Sequence, residues 1–138
     1  MIKFGETLIQ SFVLAEDVRP ESSGKFVIVG AFPSGLNIAS FPARTPIAIY
    51  AELIPPRTGK HSIHFRLSGP GEGTGLVVAQ IDVQIAGLGM SVFTPRFELL
   101  IENPGELVVS LSEDGSSWVE VTRRAFELGG APTASDES

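Results

Sequence analysis

The sequence contains no cysteine among its 138 residues, which excludes a disulfide scaffold, a cysteine-ligated zinc site and thiol chemistry. Positive charge is also scarce, because 10 basic residues stand against 16 acidic ones and give a formal net charge of −6. Non-specific binding of nucleic acid depends on neutralising phosphates, and this balance argues against it. The aromatic residues are nearly all phenylalanine at positions predicted to face inward, so a base-stacking platform is not expected either. We therefore predict no nucleic-acid partner.

Long apolar runs are missing as well. A membrane-spanning helix needs about 18 or more uninterrupted apolar residues. The longest near-continuous stretch, residues 81–93, is broken by Asp82, Gln84, Ser91 and two glycines. Polar residues and a glycine also interrupt residues 1–12, so they do not form the apolar region of a signal peptide. We expect no membrane partner and a cytoplasmic location.

The composition present is that of one globular domain. Hydrophobic residues make up 43% of the chain and charged residues 19%, which is incompatible with wholesale disorder. The 15 glycines and 10 prolines indicate many turns rather than long helices. Residues 1–128 are predicted to form a single domain, and residues 129–138, which are small, polar and acidic, are predicted to be a disordered tail.

Alternation of apolar and polar residues recurs along the chain. Its clearest example places Ile63, Phe65 and Leu67 on one face of a strand and the polar residues between them on the other. No window of 11 or more residues shows a helical apolar stripe. The pattern predicts an all-β fold, an antiparallel β-sandwich of about 7–9 strands with an immunoglobulin-like or related Greek-key arrangement. Trp118, Val119, Val121 and Phe126 change parity near residues 123–124, where a bulge is predicted.

The sequence also predicts where individual loops, turns and one unusual strand lie. Residues 17–24 are predicted to be a loop, and residues 32–46 the longest irregular segment. Turns at residues 103–105 and 114–115 are predicted to join sequential, paired strands. Residues 25–32 are apolar on both faces, which predicts a central strand covered on both sides or a strand that pairs with another subunit.

Histidines and glycines offer little chemistry. His61 and His64 are three residues apart on one strand, so they point to opposite faces and cannot ligate one metal from regular geometry. Residues 70–75 (PGEGTG) superficially resemble a phosphate-binding loop, but a strand follows them, no lysine is present and Glu72 would repel an anion. A hairpin loop is the better interpretation.

Acidic pairs and serines also lack the spacing of known sites. Glu16 and Asp17 begin a predicted loop, and Glu113 and Asp114 lie in a predicted turn, but neither pair has the spacing of an EF-hand. Carboxylates of several loops can still converge on calcium. No nucleophile-elbow motif occurs, and nothing favours a serine-histidine-aspartate triad. The sequence thus assigns no catalytic, cofactor-binding or metal-binding residue and no cofactor.

One long loop contains residues that could take part in recognition. Phe41 and Arg44 lie in the stretch FPARTP, and loops on rigid β-scaffolds commonly carry recognition. The plainer interpretation, which we favour, is that Phe41 plugs one end of the sandwich.

Three short motifs occur in the first third of the chain: the run AEDVR at residues 15–19, the run GKFVIVG at residues 24–30, and the run SFPA at residues 40–43. With these motifs the chain resembles an uncharacterised family of small bacterial all-β proteins. The resemblance extends over residues 10–128. It implies a single all-β domain with no assigned reaction or cofactor, and it transfers no functional residue.

These observations leave three functional hypotheses open. The first is a non-enzymatic protein-interaction or structural module whose partner is an unidentified protein or a second copy of the chain. The second is a small-ligand-binding protein or small enzyme with a pocket at one end of the sandwich, built from residues 32–46 with His61 or His64. The third is a calcium-dependent binding module.

Overall fold

Eleven β-strands form the fold of this protein, which we describe from a computed structural model covering residues 2–69 and 74–129. In chain order the strands are β1 (Ile2–Phe4), β2 (Thr7–Pro20), β3 (Phe26–Ala31), β4 (Gly35–Ile38), β5 (Ala43–Ile54), β6 (Gly59–Ser68), β7 (Thr74–Val83), β8 (Met90–Phe93), β9 (Phe97–Ile101), β10 (Gly105–Ser112) and β11 (Val119–Leu128). The predicted all-β sandwich is confirmed. The strand number exceeds the prediction because β1, β4 and β8, of three or four residues each, are too short to show alternation. The immunoglobulin-like arrangement stays a prediction.

The strands are arranged in two sheets. In the first, β2 and β5 pair at the centre, β1 and β3 lie along the other edge of β2, and β8 and β9 lie along the other edge of β5. The second sheet has the order β4-β11-β10-β6-β7. All the pairs are antiparallel except β4 with β11. The turn at residues 103–105 therefore leads from one sheet to the other, and the prediction that it joins a paired hairpin is wrong.

Side chains from both sheets meet in one core. The alternating residues Ile63, Phe65 and Leu67 of β6 are almost completely buried, as their pattern predicted. Their counterparts on β10, at positions 107, 109 and 111, are fully buried too. Phe4 and Phe126 fill the space between the sheets together with aliphatic side chains of β5.

A second, smaller cluster lies on the outer surface of the first sheet. The ring of Phe26, on β3, lies 5.1 Å from that of Tyr50 and 5.3 Å from that of Phe93, measured between centroids. Ala15, Val18 and Ala48 are buried beside them. The hairpin of β2 and β3 thus packs over aromatic residues that the sheet directs away from the main core.

This hairpin corrects two expectations. Strand β2 continues through residues 17–20, which pair with β3, so the predicted loop is reduced to a short turn. Strand β3 pairs only with β2 in the described part of the chain, and is therefore an edge strand rather than a central one. The two apolar faces of β3 have different surroundings. Phe26 and Ile28 belong to the smaller cluster on the first sheet, whereas Val27 and Val29 are exposed.

The irregular segment and the bulge also differ from expectation. Residues 32–46 include β4 and the start of β5. The bulge in β11 lies at Val121, because Val109 pairs with Thr122 and Ser110 with Glu120. It is therefore two or three residues before the predicted position. None of the described residues belongs to a helix long and apolar enough to cross a membrane.

Candidate functional site

The two histidines lie on opposite faces of β6, as expected. Nε2 of His61 is 2.8 Å from the carbonyl oxygen of Arg57 and donates to it in the matching tautomer. His64 lies on the outer face of the second sheet, with its ring edge-on to that of Trp118 at 6.4 Å between centroids. The two side chains therefore serve separate local contacts and form no joint site.

A polar cleft of about 320 Å³ lies at the end of the sandwich where β6 begins. Arg57, Lys60, His61 and Glu113 contribute charged or titratable groups to it. Arg57 Nη1 donates to Glu6 Oε1 at 2.6 Å, and this hydrogen bond lowers the pKa of Glu6 and raises the pKa of Arg57. The arginine charge nearest the cleft is thus already balanced within the chain.

The pocket expected from residues 32–46 and a histidine is not assembled. Strand β4 pairs with the last residues of β11, and β5 begins next to Ile101. His61 and the polar cleft lie at the opposite end, where β6 begins and β5 ends. Within the loop, Phe41 is half-buried and packs against the core, which supports the interpretation that it plugs the end of the sandwich. Arg44 is exposed at the start of β5.

Glu113 joins the two sheets. Its Oε2 accepts a hydrogen bond of 2.6 Å from the hydroxyl of Thr7, and its Oε1 accepts one of 3.3 Å from the backbone of Glu6. Gly5 has a φ of 58° and lies so close that a Cβ there would be 1.9 Å from Oε1 of Glu113. This carboxylate is therefore committed to the contact between the β10–β11 turn and the β1–β2 turn.

Asp114 organises the β10–β11 turn itself. Its Oδ1 accepts hydrogen bonds from the backbone of Ser116 and Ser117 and from the hydroxyl of Ser112, at 2.8–2.9 Å. These donors, the two backbone groups first, lower the pKa of Asp114 to about 2.

The remaining predicted acids show no convergence. Asp17 binds Arg19 at 2.7 Å near the opposite end of the sandwich, and Glu16 lies against Gly30. Over residues 2–69 and 74–129, no three acidic or histidine side chains gather as metal ligands would. The calcium hypothesis gains no support from these positions. Residues 70–73 of the glycine-rich loop lie outside the described residues, and Thr74 and Gly75 begin β7.

The outer face of the second sheet carries an aromatic and cationic contact. The guanidinium carbon of Arg66 lies 4.3 Å from the centroid of the Trp118 ring. Nε of Arg66 is buried and has no hydrogen-bond partner in the part of the chain that the structure describes. Trp118 thus lies against both His64 and Arg66, and the tight turn at Asp114 positions it there.

A group of exposed apolar residues lies along β7, the last strand of the second sheet, and in residues 84–89, which follow it. Four of the nine large hydrophobic residues found exposed lie here: Leu76, Val78, Ile85 and Leu88, with 60, 52, 61 and 57% of their surface accessible. Two shallow grooves of about 310 and 240 Å³ flank them. Concentrated apolar exposure of this kind marks interaction surfaces more often than isolated residues do.

Sequence reasoning missed this surface, although a signal for it existed. Residues 76–79 (LVVA) are apolar on both faces, as residues 25–32 are. Val77 and Ala79 pack against the core, and Leu76 and Val78 point outward. Alternation continued from Ile81 and Val83 predicts Ile85 on the core face as well, but β7 ends at Val83 and Ile85 is exposed beyond it.

Comparison with known proteins identifies the family. The model of DUF6941, a family of unknown function, matches residues 10–124, and the chain belongs to this family. The expectation of a family without an assigned function is thereby confirmed. None of the curated proteins matches the chain.

Among solved structures, a β-glucosidase from Listeria innocua is similar with a TM-score of 0.47 and 15% identity over 92% of this chain. The β-glucosidase EmGH1 from Erythrobacter marinus is similar with a TM-score of 0.40 and 15% identity over 84%. The chain spans only 16 and 15% of these two enzymes. Similarity this low does not bear on what the chain does.

Proposed function

We propose that this protein is a non-enzymatic interaction module that binds an extended strand of a partner along the open edge of β7. The observation that carries the proposal is the regularity of that edge. Strand β7 pairs with β6 at ten consecutive positions without a bulge, and no strand of the described chain pairs with its other edge. An edge of this kind presents unpaired backbone donors and acceptors that a further strand can satisfy.

The composition of β7 supports the proposal. Sheet edges are commonly protected by lysine, proline or a bulge, and the sequence TGLVVAQIDV contains no lysine or proline. Its only charge is Asp82, near one end. Leu76 and Val78 add apolar surface on the outer face, where an added strand would cover it. An unprotected edge of this length favours aggregation unless a partner occupies it.

The other edges are less suitable. Strand β4 has four residues and β1 has three. Strand β3 has its Gly30 at a φ of 66°, in the left-handed region, which interrupts its regular edge. Strands β8 and β9 are separated by residues 94–96. The polar cleft at His61 is a weaker basis for function because Arg57 is already paired with Glu6.

The proposal includes a cytoplasmic location. Small extracellular modules commonly depend on disulfides, and this chain has no cysteine, which supports a reducing compartment. Cell fractionation with an antibody against the chain tests this location, and recovery from an extracellular or periplasmic fraction would contradict it.

The docking edge is tested by capture with matched variants. The tagged protein and its Val78→Lys and Val27→Lys variants are expressed in the producing cells, and the proteins bound to each are compared. Both valines are exposed apolar residues on edge strands, so both variants should remain folded. We expect Val78→Lys to lose a bound protein that the wild type and Val27→Lys retain. Equal capture by all three would refute the proposal.

A further inference from the structure

We infer that the strand added to β7 is β7 of a second copy of this chain. The two strands run antiparallel across a two-fold axis at Val78, and two five-stranded sheets become one sheet of ten strands. The inference rests on the proposed docking edge, and it goes beyond that proposal by naming the partner and the register.

The apolar residues of β7 are placed for self-pairing. With the axis at Val78, positions 74–82 face positions 82–74 of the other copy, and Val78 lies opposite the partner's Val78. Leu76 lies diagonally across from the partner's Val78, within reach of a long side chain. The exposed Leu76 and Val78 of both copies then form one apolar cluster on the outer face. An isologous contact of this kind covers both open edges at once and leaves neither available for further growth.

The charge on β7 agrees with this register. Asp82 is the only ionisable residue in the strand. The axis places it opposite position 74 of the partner, so that the two aspartates are eight residues apart along the strand direction. At a rise of about 3.4 Å per residue their separation is about 27 Å, which is beyond effective repulsion in physiological salt. Two copies of a chain with a net charge of −6 repel each other over much of their surface. Along β7, however, they can pair without bringing like charges together.

A second copy is favoured over an unrelated peptide because it already supplies what the edge needs. A complementary strand must be extended, nearly uncharged and apolar on the outer face. Every copy of the chain displays such a strand in the folded state. No ordering of a flexible segment is required, so self-pairing avoids the entropy that a disordered peptide loses on binding.

The oligomeric state tests the inference. We expect the wild type to sediment as a dimer in an analytical-ultracentrifugation series from low to high micromolar concentration. Val78→Lys places two ammonium groups beside each other at the axis and should raise the dissociation constant about 100-fold. Val27→Lys, the matched control on β3, should remain dimeric. Circular dichroism and thermal melting confirm that both variants are folded.

The register is tested with single cysteines, because the natural chain contains none that could interfere. Val78→Cys should form a disulfide-linked dimer under mild oxidation, since opposed residues of an antiparallel pair have Cα atoms about 4.5–5.5 Å apart. Asp82→Cys, also exposed, should remain monomeric on a non-reducing gel. Equal cross-linking at both positions would overturn the register.

The outcomes separate this inference from the proposed function. A monomeric wild type whose β7 still captures another protein refutes the second copy and leaves the docking edge standing. A dimer that Val27→Lys dissociates and Val78→Lys does not would place the interface at β3 and refute both. A monomeric wild type that captures nothing through β7 refutes both as well.

Discussion

Replacing Thr94 with valine should destabilise the fold through the loss of one buried hydrogen bond. Thr94 lies between β8 and β9, and the residue is 1% exposed. Its hydroxyl accepts a hydrogen bond of 2.9 Å from the backbone N–H of Ile49, and its own N–H donates one of 2.9 Å to the Ile49 carbonyl. At the break between β8 and β9 no backbone carbonyl of the neighbouring strand accepts the Ile49 N–H in the described part of the chain. The Thr94 hydroxyl serves as its acceptor instead.

Valine has nearly the same shape as threonine but accepts no hydrogen bond. The N–H of Ile49, in a fully buried residue, would lose its partner, and leaving such a donor unsatisfied costs about 1–3 kcal/mol. The unfolding equilibrium constant should therefore rise about 5- to 150-fold. In a domain of this length, each kcal/mol should lower the melting temperature by about 4 °C.

Urea unfolding followed by circular dichroism measures the loss, and amide hydrogen exchange at Ile49 locates it. Thr94→Ser is the control, because it keeps the hydroxyl and should lose only about 0.8 kcal/mol for the buried methyl group. The Ile49 amide should exchange faster in the valine variant and remain protected in the serine variant. A valine variant as stable as the wild type, with Ile49 still protected, would refute the role assigned to the hydroxyl.

Two further substitutions test the β10–β11 turn and the residue stacked on Trp118. Because the folded pKa of Asp114 is about 2, below its ordinary value of 3.8, its contribution to stability is present above about pH 4 and is lost as the pH falls toward 2. Asp114→Asn should therefore reduce the dependence of stability on pH in that window, and an unchanged acid limb would contradict this. Arg66→Met keeps the packed stem but loses both the cation–π contact and the partnerless Nε, so a double-mutant cycle with Trp118→Leu in urea unfolding is needed to isolate the contact. The coupling should be about 0.5–1 kcal/mol, and a coupling of zero would show that the contact is unimportant.

Alternation correctly predicted that Ile63, Phe65 and Leu67 of β6 enter the core. The reason is local, because successive side chains of any extended segment point to opposite sides whatever its neighbours are. The same rule says nothing about which sheet a strand joins. Ile101 and Leu107 both point into the core, one from each sheet, so their pattern could not show that residues 103–105 cross between the sheets.

Contacts made by polar side chains were the least accessible to sequence reasoning. The sequence places Glu113 and Asp114 in a predicted turn and leaves open whether carboxylates of several loops converge on calcium, without assigning either residue to a metal. Glu113 in fact accepts hydrogen bonds from Thr7 and Glu6, which are more than 100 residues away in the chain. Asp114 accepts its hydrogen bonds from serines of its own turn. Residue type predicts that a carboxylate will find donors, but it does not predict whether the donors belong to a metal site, a turn or the opposite sheet.

A strand that is apolar on both faces has two physical explanations, and β3 and β7 illustrate both. In β3 the second apolar face, with Phe26 and Ile28, covers the aromatic cluster on the first sheet, so the pattern reflects packing within the chain. In β7 the face with Leu76 and Val78 lies open beside an unpaired edge, with no cover in residues 2–69 or 74–129. The sequence patterns are alike, and only the position of each strand in the fold separates them. Since burial of such a face is favourable and its exposure in solution is not, the uncovered strand is where an interaction outside the chain should be sought.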